Sequence, residues 1–368
     1  MPQALYRKYR PQRLGDVLGQ ETNIEILKNA AKSGRLGQAY IFYGSRGTGK
    51  TTTARLVAKL LNCEKRRTDP DFTKLGEPCN ECRVCKEIDA QNAFDVIEID
   101  AASNRGIDEI RNLKESIKTS PAAGDYKVYI IDEAHMLTGA AFNALLKTLE
   151  EPPKHAVIIL ATTEFEKLPP TITSRAQRFV FRKPSKEIII EKLSSIAKQE
   201  KMQIDAPALE VIAAAAEGSF RDAESLLDQM ASLGKKISLE DAERITGRTG
   251  LRKVHELAAS IIKKDLAAAL LEIADLNDEG HNLTQLVKDL IHYLRKVLSI
   301  KMNPALEKTL EKDLTKDELA GVKKLAATAD AAVLVKLIRS FIRAYAEMRY
   351  SPFAIVPLEV ALVETLSL

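Results

Sequence analysis

Short apolar runs alternate with longer amphipathic stretches along the first half of the chain. The runs are short enough to be buried strands, and they lie at residues 40–43, 96–99, 128–131, 157–160 and 179–181. Between them, apolar residues recur at helical spacing from about Lys50 onward, over 107–117 and over 139–150. Strands that alternate with helices predict an α/β domain built around a mainly parallel sheet with flanking helices.

The strand pattern stops after Lys183-Pro184, and helical spacing continues from there. Residues 185–245 predict three or four short helices, and residues 247–250 are typical of a linker before another helical block. A chain of 368 residues is long enough for two or three separate cores. We therefore predict an α/β domain over 1–180, a small helical domain over 181–245 and a larger helical domain over 246–368.

Charge and targeting signals narrow the class of protein only slightly. Lys and Arg number 55 against 51 Asp and Glu, and the formal charge of +4 is too small to prove a nucleic-acid partner. The N-terminus lacks the apolar core and cleavage site of a signal peptide, and no apolar run is long enough to span a bilayer. We expect a cytoplasmic protein without membrane partners, whose four cysteines stay reduced.

A glycine-rich loop follows the first predicted strand and opens the next predicted helix. Its sequence Gly-Ser-Arg-Gly-Thr-Gly-Lys-Thr fits the phosphate-loop pattern G-x-x-x-x-G-K-[ST]. The backbone N–H groups of such a loop wrap phosphates, Lys50 would reach the β- and γ-phosphates, and the Thr51 hydroxyl would bind Mg²⁺. The alternative is a chance glycine-rich turn, which the flanking strand and helix disfavour. The predicted contacts to ATP and Mg²⁺ from this loop are Gly44, Ser45, Arg46, Gly47, Thr48, Gly49, Lys50, Thr51 and Thr52.

Two adjacent acids end the third predicted strand, and the pair resembles a Walker B motif. Asp132 would hold Mg²⁺ directly or through water, and Glu133 would orient and polarise the attacking water. In isolation, such a pair is equally well explained as a helix N-cap followed by an acid in the first turn. The phosphate loop makes the catalytic interpretation the better one. We interpret the nearby His135 as a packed or solvated residue without a catalytic role.

All four cysteines lie within about residues 63–86, in the spacing C-x15-C-x2-C-x2-C. Four thiolates satisfy tetrahedral zinc, and the close C-x2-C spacing suits a tight knuckle. A site with all four positions filled by Cys63, Cys79, Cys82 and Cys85 would be closed and structural. The alternatives are free buried thiols, a redox pair or an iron–sulfur cluster, and the last lacks supporting context.

The order of these motifs resembles that of AAA+ ATPases. After the two acids come Leu160–Thr163, then Ser174-Arg175, then Gly218–Asp222. The resemblance implies that Thr163, at a strand end, is the polar sensor 1 residue. It also implies that Arg221 is sensor 2, which reaches the γ-phosphate of the ATP bound by the same subunit.

Ser174-Arg175 is similar to the Ser-Arg-Cys signature of clamp loaders. In that signature the arginine acts in trans, on ATP bound by the neighbouring subunit. A planar, permanently charged guanidinium suits this role because it can stabilise spread phosphate charge. The chain has Ala176 in place of the signature's cysteine, and that cysteine has no phosphate role in the inferred mechanism.

Further stretches are similar to the gamma/tau family of bacterial DNA polymerase III subunits. They are Tyr9–Pro11, Glu98–Ser103, Phe142–Pro153 and Leu160–Thr163. The resemblance is strong over residues 1–245 and depends only on helical character and position over 246–368. It implies that residues Arg10, Pro11 and Val17 close over adenine and that 63–86 form an inserted zinc module. Residues 181–245 would then be the ATPase lid, and residues 246–368 an oligomerising collar.

Membership of that family would make the chain the ATP-hydrolysing motor of the bacterial replicative clamp loader, acting at the replication fork. The implied partners are the delta and delta-prime subunits, other gamma/tau copies, the beta sliding clamp and primer–template DNA. Any DNA-directed DNA polymerase (nucleotidyltransferase) activity would belong to the holoenzyme, because no polymerase site is visible in the chain. Arg105 and Lys147 are the candidate contacts to DNA phosphates, and each is equally well explained as an ordinary solvated charge. Relatives carry basic residues where this chain has Asn104 and Gly106.

Two other functions are compatible with parts of the pattern. Another AAA+ DNA motor, such as a branch-migration helicase or an initiator, would usually lack the four-cysteine insert and the arginine placement of clamp loaders. A non-hydrolysing scaffold subunit would have lost phosphate-loop residues, whereas Lys50, Thr51, Asp132 and Glu133 are all present. The sequence does not distinguish the gamma from the tau form or give the subunit stoichiometry.

Overall fold

The structure is a computed structural model that describes residues 3–103, 113, 115–234, 236–246, 251–310, 314 and 316–366. The chain divides into two units, each compact in itself. The first comprises Met1–Pro184 with Gly218–Glu224, and the second comprises Ser185–Glu217 with Ser225–Leu368. The division into three domains at 180 and 245 stays a prediction.

A parallel sheet of five strands forms the centre of the first unit. Its strands are β1 (Ala39–Gly44), β2 (Val96–Asp100), β3 (Lys127–Asp132), β4 (Ala156–Thr162) and β5 (Gln177–Phe181). Their order across the sheet is β2-β3-β4-β1-β5. The predicted α/β class and parallel sheet are therefore confirmed.

Both faces of the central strands are covered, which explains why β1, β3 and β4 carry continuous apolar runs, whereas the edge strands β2 and β5 mix apolar and polar residues. Every residue of β4 is buried, as expected for a strand with a neighbour on each side and helices on each face. In β1, Phe42 packs in the same core as Val57, whereas Ile41 packs in a second core with Leu145. Successive side chains of a strand point to opposite faces, so these two cores lie on opposite sides of the sheet.

The helices of the first unit are short at the N-terminus and in the cysteine insert, and longer where they cover the sheet. They are Leu5–Lys8, Glu21–Lys32, Lys50–Asn62, Glu64–Thr68, Pro70–Thr73, Arg83–Asp89, Gly139–Glu150 and Pro170–Thr173, with 3-10 turns at Leu14–Asp16, Ala134–Met136 and Phe165–Lys167. The predicted helices at 139–150 and from Lys50 agree with this list. Most of the predicted helix over 107–117 lies outside the described residues.

The described part of the second unit consists of helices, apart from one isolated bridge between Ile204 and Ile237. The helix Phe220–Ala231 begins in the first unit and continues into the second. One large core, formed by buried residues between Val254 and Leu362, includes Leu257, Leu290 and Phe341. The helices are Lys186–Gln199, Ala206–Ala215, Leu239–Thr246, Leu251–Ile262, Leu266–Asp278, Leu283–Met302, Glu307–Leu310, Lys316–Thr328, Ala331–Met348 and Ile355–Leu366.

The strand order determines where chemistry can occur. Strands β3, β4 and β1 are adjacent and parallel, so their carboxyl ends meet at one edge of the sheet. Asp132, Thr162 and Gly44 are the last residues of these three strands. In open parallel sheets this edge is the usual position of a ligand site. No helix among the described residues has both the length and the apolar character needed to cross a membrane.

Candidate nucleotide and metal sites

The phosphate loop connects β1 to the helix Lys50–Asn62. Gly49 is the N-cap of this helix, with a φ of 97° that glycine adopts without steric strain. The Lys50 ammonium is buried and donates to the carbonyl oxygens of Gly44 and Ser45, each at 2.8 Å. The loop therefore wraps around its own lysine at the helix N-terminus, a geometry suited to anions.

The other predicted loop residues occupy different environments. Thr48 is buried, and its hydroxyl donates to the Ser45 carbonyl at 2.8 Å, which stabilises the loop conformation. Arg46 is exposed, while Thr52 is half-buried in the first turn of the helix. Arg46 is therefore the exposed cation of the loop, whereas the Thr48 hydroxyl bonds within the loop.

Thr51 and Asp132 meet across the sheet edge. The Thr51 hydroxyl donates to Asp132 Oδ2 at 2.7 Å, although the two residues are 81 positions apart in the sequence. A threonine hydroxyl beside a carboxylate is the donor set that Mg²⁺ takes in phosphate-loop ATPases. Burial lowers the pKa of Lys50, and the carboxylates of Glu133 and Asp132 oppose this shift. The residues present thus fit a magnesium-bound triphosphate.

Glu133 lies directly after β3 in a left-handed backbone conformation, with φ 47° and ψ 44°. A non-glycine residue in this region is uncommon and is often part of a functional site. Its Oε2 accepts a hydrogen bond from the Thr163 hydroxyl at 3.1 Å, and Thr163 follows β4. The predicted water-orienting acid and the predicted sensor 1 residue therefore contact each other.

His135 is a feature whose role the sequence did not reveal. Its side chain is only 6 % exposed, and Nδ1 lies 2.9 Å from the Thr162 hydroxyl and 3.5 Å from Glu133 Oε2. On the other side of the ring, Nε2 lies 3.1 Å from Glu164 Oε1. His135 is thus packed, and it lies beside Glu133, the predicted water-orienting acid. The sequence Asp-Glu-x-His, which places His135 two residues after Glu133, was the feature from which this contact could have been predicted.

The predicted adenine segment lies beside the predicted sensor 2 arginine. The Arg221 guanidinium lies over the Tyr6 ring, 5.1 Å from its centroid. Burial and the neighbouring charge of Arg55 lower the pKa of Arg10, and Arg221 contributes to the same shift. Pro11 follows Arg10 and is half-buried. Several arginines therefore converge here, and such a cluster favours an anionic ligand.

Val17 and Ser219 contact the phosphate loop from two directions. Val17 is buried, and a Cβ built on Gly49 would lie 3.7 Å from its Cγ1. The Phe220 backbone N–H donates to the Gly47 carbonyl at 3.1 Å, and any side chain at Gly47 would overlap the Ser219 hydroxyl. The close approach places Arg221, in the first turn of its helix, near the loop.

Arg175 is not part of this group of residues. Its Nε and Nη2 donate to Glu150 Oε1 at 2.9 and 2.5 Å, and Nη1 donates to the Thr171 carbonyl at 2.6 Å. Among the described residues, Arg175 therefore contacts Glu150 and Thr171 and not the phosphate loop. The side chain is partly exposed, which is compatible with a role at another subunit's site.

Of the two predicted DNA contacts, one can be placed. Lys147 is exposed on the helix Gly139–Glu150. Arg105 lies outside the described residues. Both assignments stay predictions.

The four cysteine sulfurs form a second candidate site. The four Sγ atoms of Cys63, Cys79, Cys82 and Cys85 all lie within 4.8 Å of one another. Tetrahedral Zn–S bonds of about 2.3 Å need sulfurs about 3.8 Å apart, so the cluster fits zinc with little adjustment. Backbone N–H groups also point at the sulfurs, including that of Cys82 at 3.3 Å from Cys79 Sγ.

The four cysteine thiols do not ionise equally readily. The Cys85 thiol lowers the pKa of Cys63 to about 4 by hydrogen bonding, and the same contact raises the pKa of Cys85 together with burial. The hydrogen bonds thus favour one thiolate, and a bound dication would favour the others as well.

Three families of known proteins match consecutive parts of the chain. Residues 19–185 match the family described as DNA polymerase III, delta subunit. Residues 188–236 match the DNA polymerase III clamp loader subunit, ATPase lid domain. Residues 237–368 match DNA polymerase III subunits gamma and tau domain III.

Individual relatives extend the similarity over the whole chain. DNA polymerase III subunit tau of Bacillus subtilis is 45 % identical over 98 % of this chain and 63 % of its own length. Subunit tau of Escherichia coli is 36 % identical over 99 % of this chain and 55 % of its own length. The chain thus spans less than two thirds of these two relatives. Subunit gamma of Buchnera aphidicola subsp. Acyrthosiphon pisum is 34 % identical, and 99 % of each chain is covered. The chain therefore belongs to the gamma/tau family of DNA polymerase III subunits.

Proposed function

We propose that this chain binds ATP with Mg²⁺ and hydrolyses it as a motor subunit of the bacterial replicative clamp loader. The observation that carries the proposal is the meeting of Thr51 and Asp132 at 2.7 Å, with Glu133 next in the chain. A phosphate loop, a metal-binding carboxylate and a water-orienting acid are the minimum set for phosphoryl transfer to water. Membership of the gamma/tau family supports the same conclusion.

Each residue of the site has a defined task in this proposal. The loop N–H groups and Lys50 bind the β- and γ-phosphates, and Thr51 with Asp132 holds Mg²⁺, which neutralises phosphate charge. Glu133 holds and polarises the attacking water, while Thr163 fixes the position of the Glu133 carboxylate. Catalysis then depends on positioning and electrostatics without a covalent intermediate.

Two arginines complete the site: Arg221 comes from the subunit that binds the ATP, and Arg175 comes from the neighbouring subunit. Arg221 reaches the γ-phosphate of ATP in its own subunit, close to the phosphate loop that Phe220 contacts. Arg175 leaves Glu150 and acts on ATP of the neighbouring subunit, so the isolated chain hydrolyses ATP slowly. Hydrolysis is thereby coupled to assembly with other gamma/tau copies through the collar, residues 246–368.

The proposed partners are those of a clamp-loading complex. They are the delta and delta-prime subunits, the beta sliding clamp and primer–template DNA, whose phosphates Lys147 and Arg105 would contact. ATP binding would open the clamp, and DNA would trigger hydrolysis and release. The cytoplasm, at the replication fork, is the expected location.

The cysteine module is proposed to hold one structural zinc ion. Replacing Cys79 by Ser should lower the zinc content well below one ion per chain. We expect the Tm to fall by about 5–10 °C, since each kcal/mol shifts it by about 2–4 °C in a domain of this size. Elemental analysis and calorimetry would measure both quantities. Glu81→Ala, an exposed change in the same module, should alter neither, and a zinc-free wild-type chain would contradict the assignment.

The decisive test is steady-state ATP hydrolysis by the chain reconstituted with delta and delta-prime subunits. Strong stimulation by sliding clamp together with primed DNA is the expected result. Stimulation by branched or duplex DNA without clamp would instead indicate a branch-migration type of motor. Tight ATP binding without hydrolysis under any condition would indicate a scaffold subunit.

A further inference from the structure

The cysteine module contacts the N-terminal segment through one carboxylate. Glu77, two residues before Cys79, accepts hydrogen bonds from the backbone N–H groups of Leu14 at 2.6 Å and Gly15 at 2.9 Å. Its Oε1 also lies 2.6 Å from Lys28 Nζ, and its side chain is only 15 % exposed. Charge-assisted bonds of this kind are the stronger ones in proteins.

The two N–H groups begin the 3-10 turn Leu14–Asp16. The first N–H groups of any helical turn have no acceptor within the turn, so a carboxylate placed there stabilises it as an N-cap would. In this case the capping carboxylate comes from residue 77, more than 60 positions away, and not from the turn's own N-cap, Arg13. The Asp16 carboxylate caps only the Arg13 N–H, at 3.0 Å, so the Leu14 and Gly15 N–H groups depend on the cysteine module for their acceptor.

The residue that follows this turn lies beside the phosphate loop. Val17 is buried, and a Cβ built on Gly49 would lie 3.7 Å from its Cγ1. Leu14 is fully buried in the same core as Val57 of the phosphate-loop helix. A shift of the turn would therefore move Val17 relative to the loop. Val17 is one of the three residues proposed to close over adenine.

A buried lysine makes a second link between the module and the segment. Lys59, on the phosphate-loop helix, is 1 % exposed. Its Nζ lies 2.6 Å from Gln12 Oε1 and 3.0 Å from Asn80 Oδ1, and it pairs with Asp89 at 2.6 Å. Asn80 stands between Cys79 and Cys82 in the knuckle. The module and the segment that precedes Val17 are therefore held by the same ammonium group.

The far end of the module contacts the helix that follows the segment. Arg66 Nη2 donates to the Ala31 carbonyl at 2.9 Å, in the last turn of the helix Glu21–Lys32. A Cβ built on Gly76 would lie 2.9 Å from the Lys28 carbonyl oxygen, so the loop carrying Glu77 packs directly on that helix. The module thus contacts both sides of the residues that include Val17.

We infer that the cysteine module positions the adenine-closing segment, and that Glu77 is the positioning residue. This inference rests on the proposed function, since it takes the site to be an ATP site. Glu77 contacts Leu14, Gly15 and Lys28 and none of the residues that bind phosphate. Through Glu77 the module therefore affects recognition of the base and not recognition of the triphosphate.

The test compares two ligands on the full chain carrying Glu77→Ala. Calorimetry would measure the Kd of Mg·ATP and the Kd of magnesium tripolyphosphate, which has no base. We expect ATP affinity to fall by about tenfold, because both acceptors of the turn's N–H groups are lost. Tripolyphosphate affinity should be unchanged, and hydrogen exchange at the Leu14 and Gly15 amides should accelerate.

Two further variants make the result specific. Glu77→Gln keeps one acceptor oxygen and should recover part of the ATP affinity, whereas the exposed Glu81→Ala should behave as wild type. Equal losses for ATP and tripolyphosphate, or no loss for either, would overturn the positioning role. If the wild-type chain binds tripolyphosphate but shows no preference for ATP, the proposed nucleotide site fails, and this inference fails with it.

Discussion

Glu133→Gln is expected to lower ATP hydrolysis by at least about 10²-fold, because a neutral amide neither polarises nor accepts a proton from the attacking water. ATP binding should persist, since the proposed phosphate and metal contacts come from Lys50, Thr51 and Asp132. The measurement is steady-state hydrolysis by the reconstituted complex with clamp and primed DNA, together with the Kd of ATP for the chain alone.

The structure provides a matched control for this change. Glu166, in the turn Phe165–Lys167 after β4, is an exposed acid near the same sheet edge. Glu166→Gln should leave hydrolysis unchanged. If Glu133→Gln hydrolyses ATP at the wild-type rate, the water-orienting role belongs to another group, and His135 with Glu164 would be examined first.

Arg175→Ala is expected to lower hydrolysis in the assembled complex by about 10³-fold, the lower range for an arginine that acts across an interface. The isolated chain should bind ATP normally, because Arg175 contacts Glu150 and Thr171 in its own subunit. Arg178→Ala, an exposed change on β5, is the matched control and should be active.

Mixing the two inactive variants tests the direction of this action. In a mixed complex, some interfaces join an intact Glu133 of one chain to an intact Arg175 of its neighbour. Activity should then exceed that of either variant alone. An absence of recovery in complexes shown to contain both chains would place the function of Arg175 within its own subunit.

The sheet and the phosphate loop could be predicted because local pattern determines them. Continuous apolar runs such as that in β4 arise only where a strand is buried on both faces, and the loop's glycines and lysine occur next to each other in the sequence. The parallel arrangement followed from the intervening helices. The pairing of Thr51 with Asp132 followed from the motif rather than from spacing.

The contacts that sequence reasoning missed are those between distant, individually ordinary residues. Histidine is a polar residue, and nothing in the local sequence indicates that His135 is buried. Its burial results from contacts with Thr162 and Glu164 at the end of β4, a different strand from the one that precedes it. Glu77 lies in a polar stretch in which nothing indicates that its partners are backbone N–H groups of a turn some 60 residues earlier. Every residue except proline has a backbone N–H group, so the sequence does not show which of these groups a distant carboxylate will bind.

The discontinuity of the first unit has a consequence for synthesis on the ribosome. Residues 1–184 emerge first, but the segment Gly218–Glu224, whose Phe220 binds the Gly47 carbonyl, emerges only after two helices of the second unit. Domains generally fold in order from the N-terminus as the chain is made. The proposed nucleotide site therefore cannot be complete until residue 224 has left the ribosome. A chain that stalls before that point would present the phosphate loop without Arg221, the predicted sensor 2 residue.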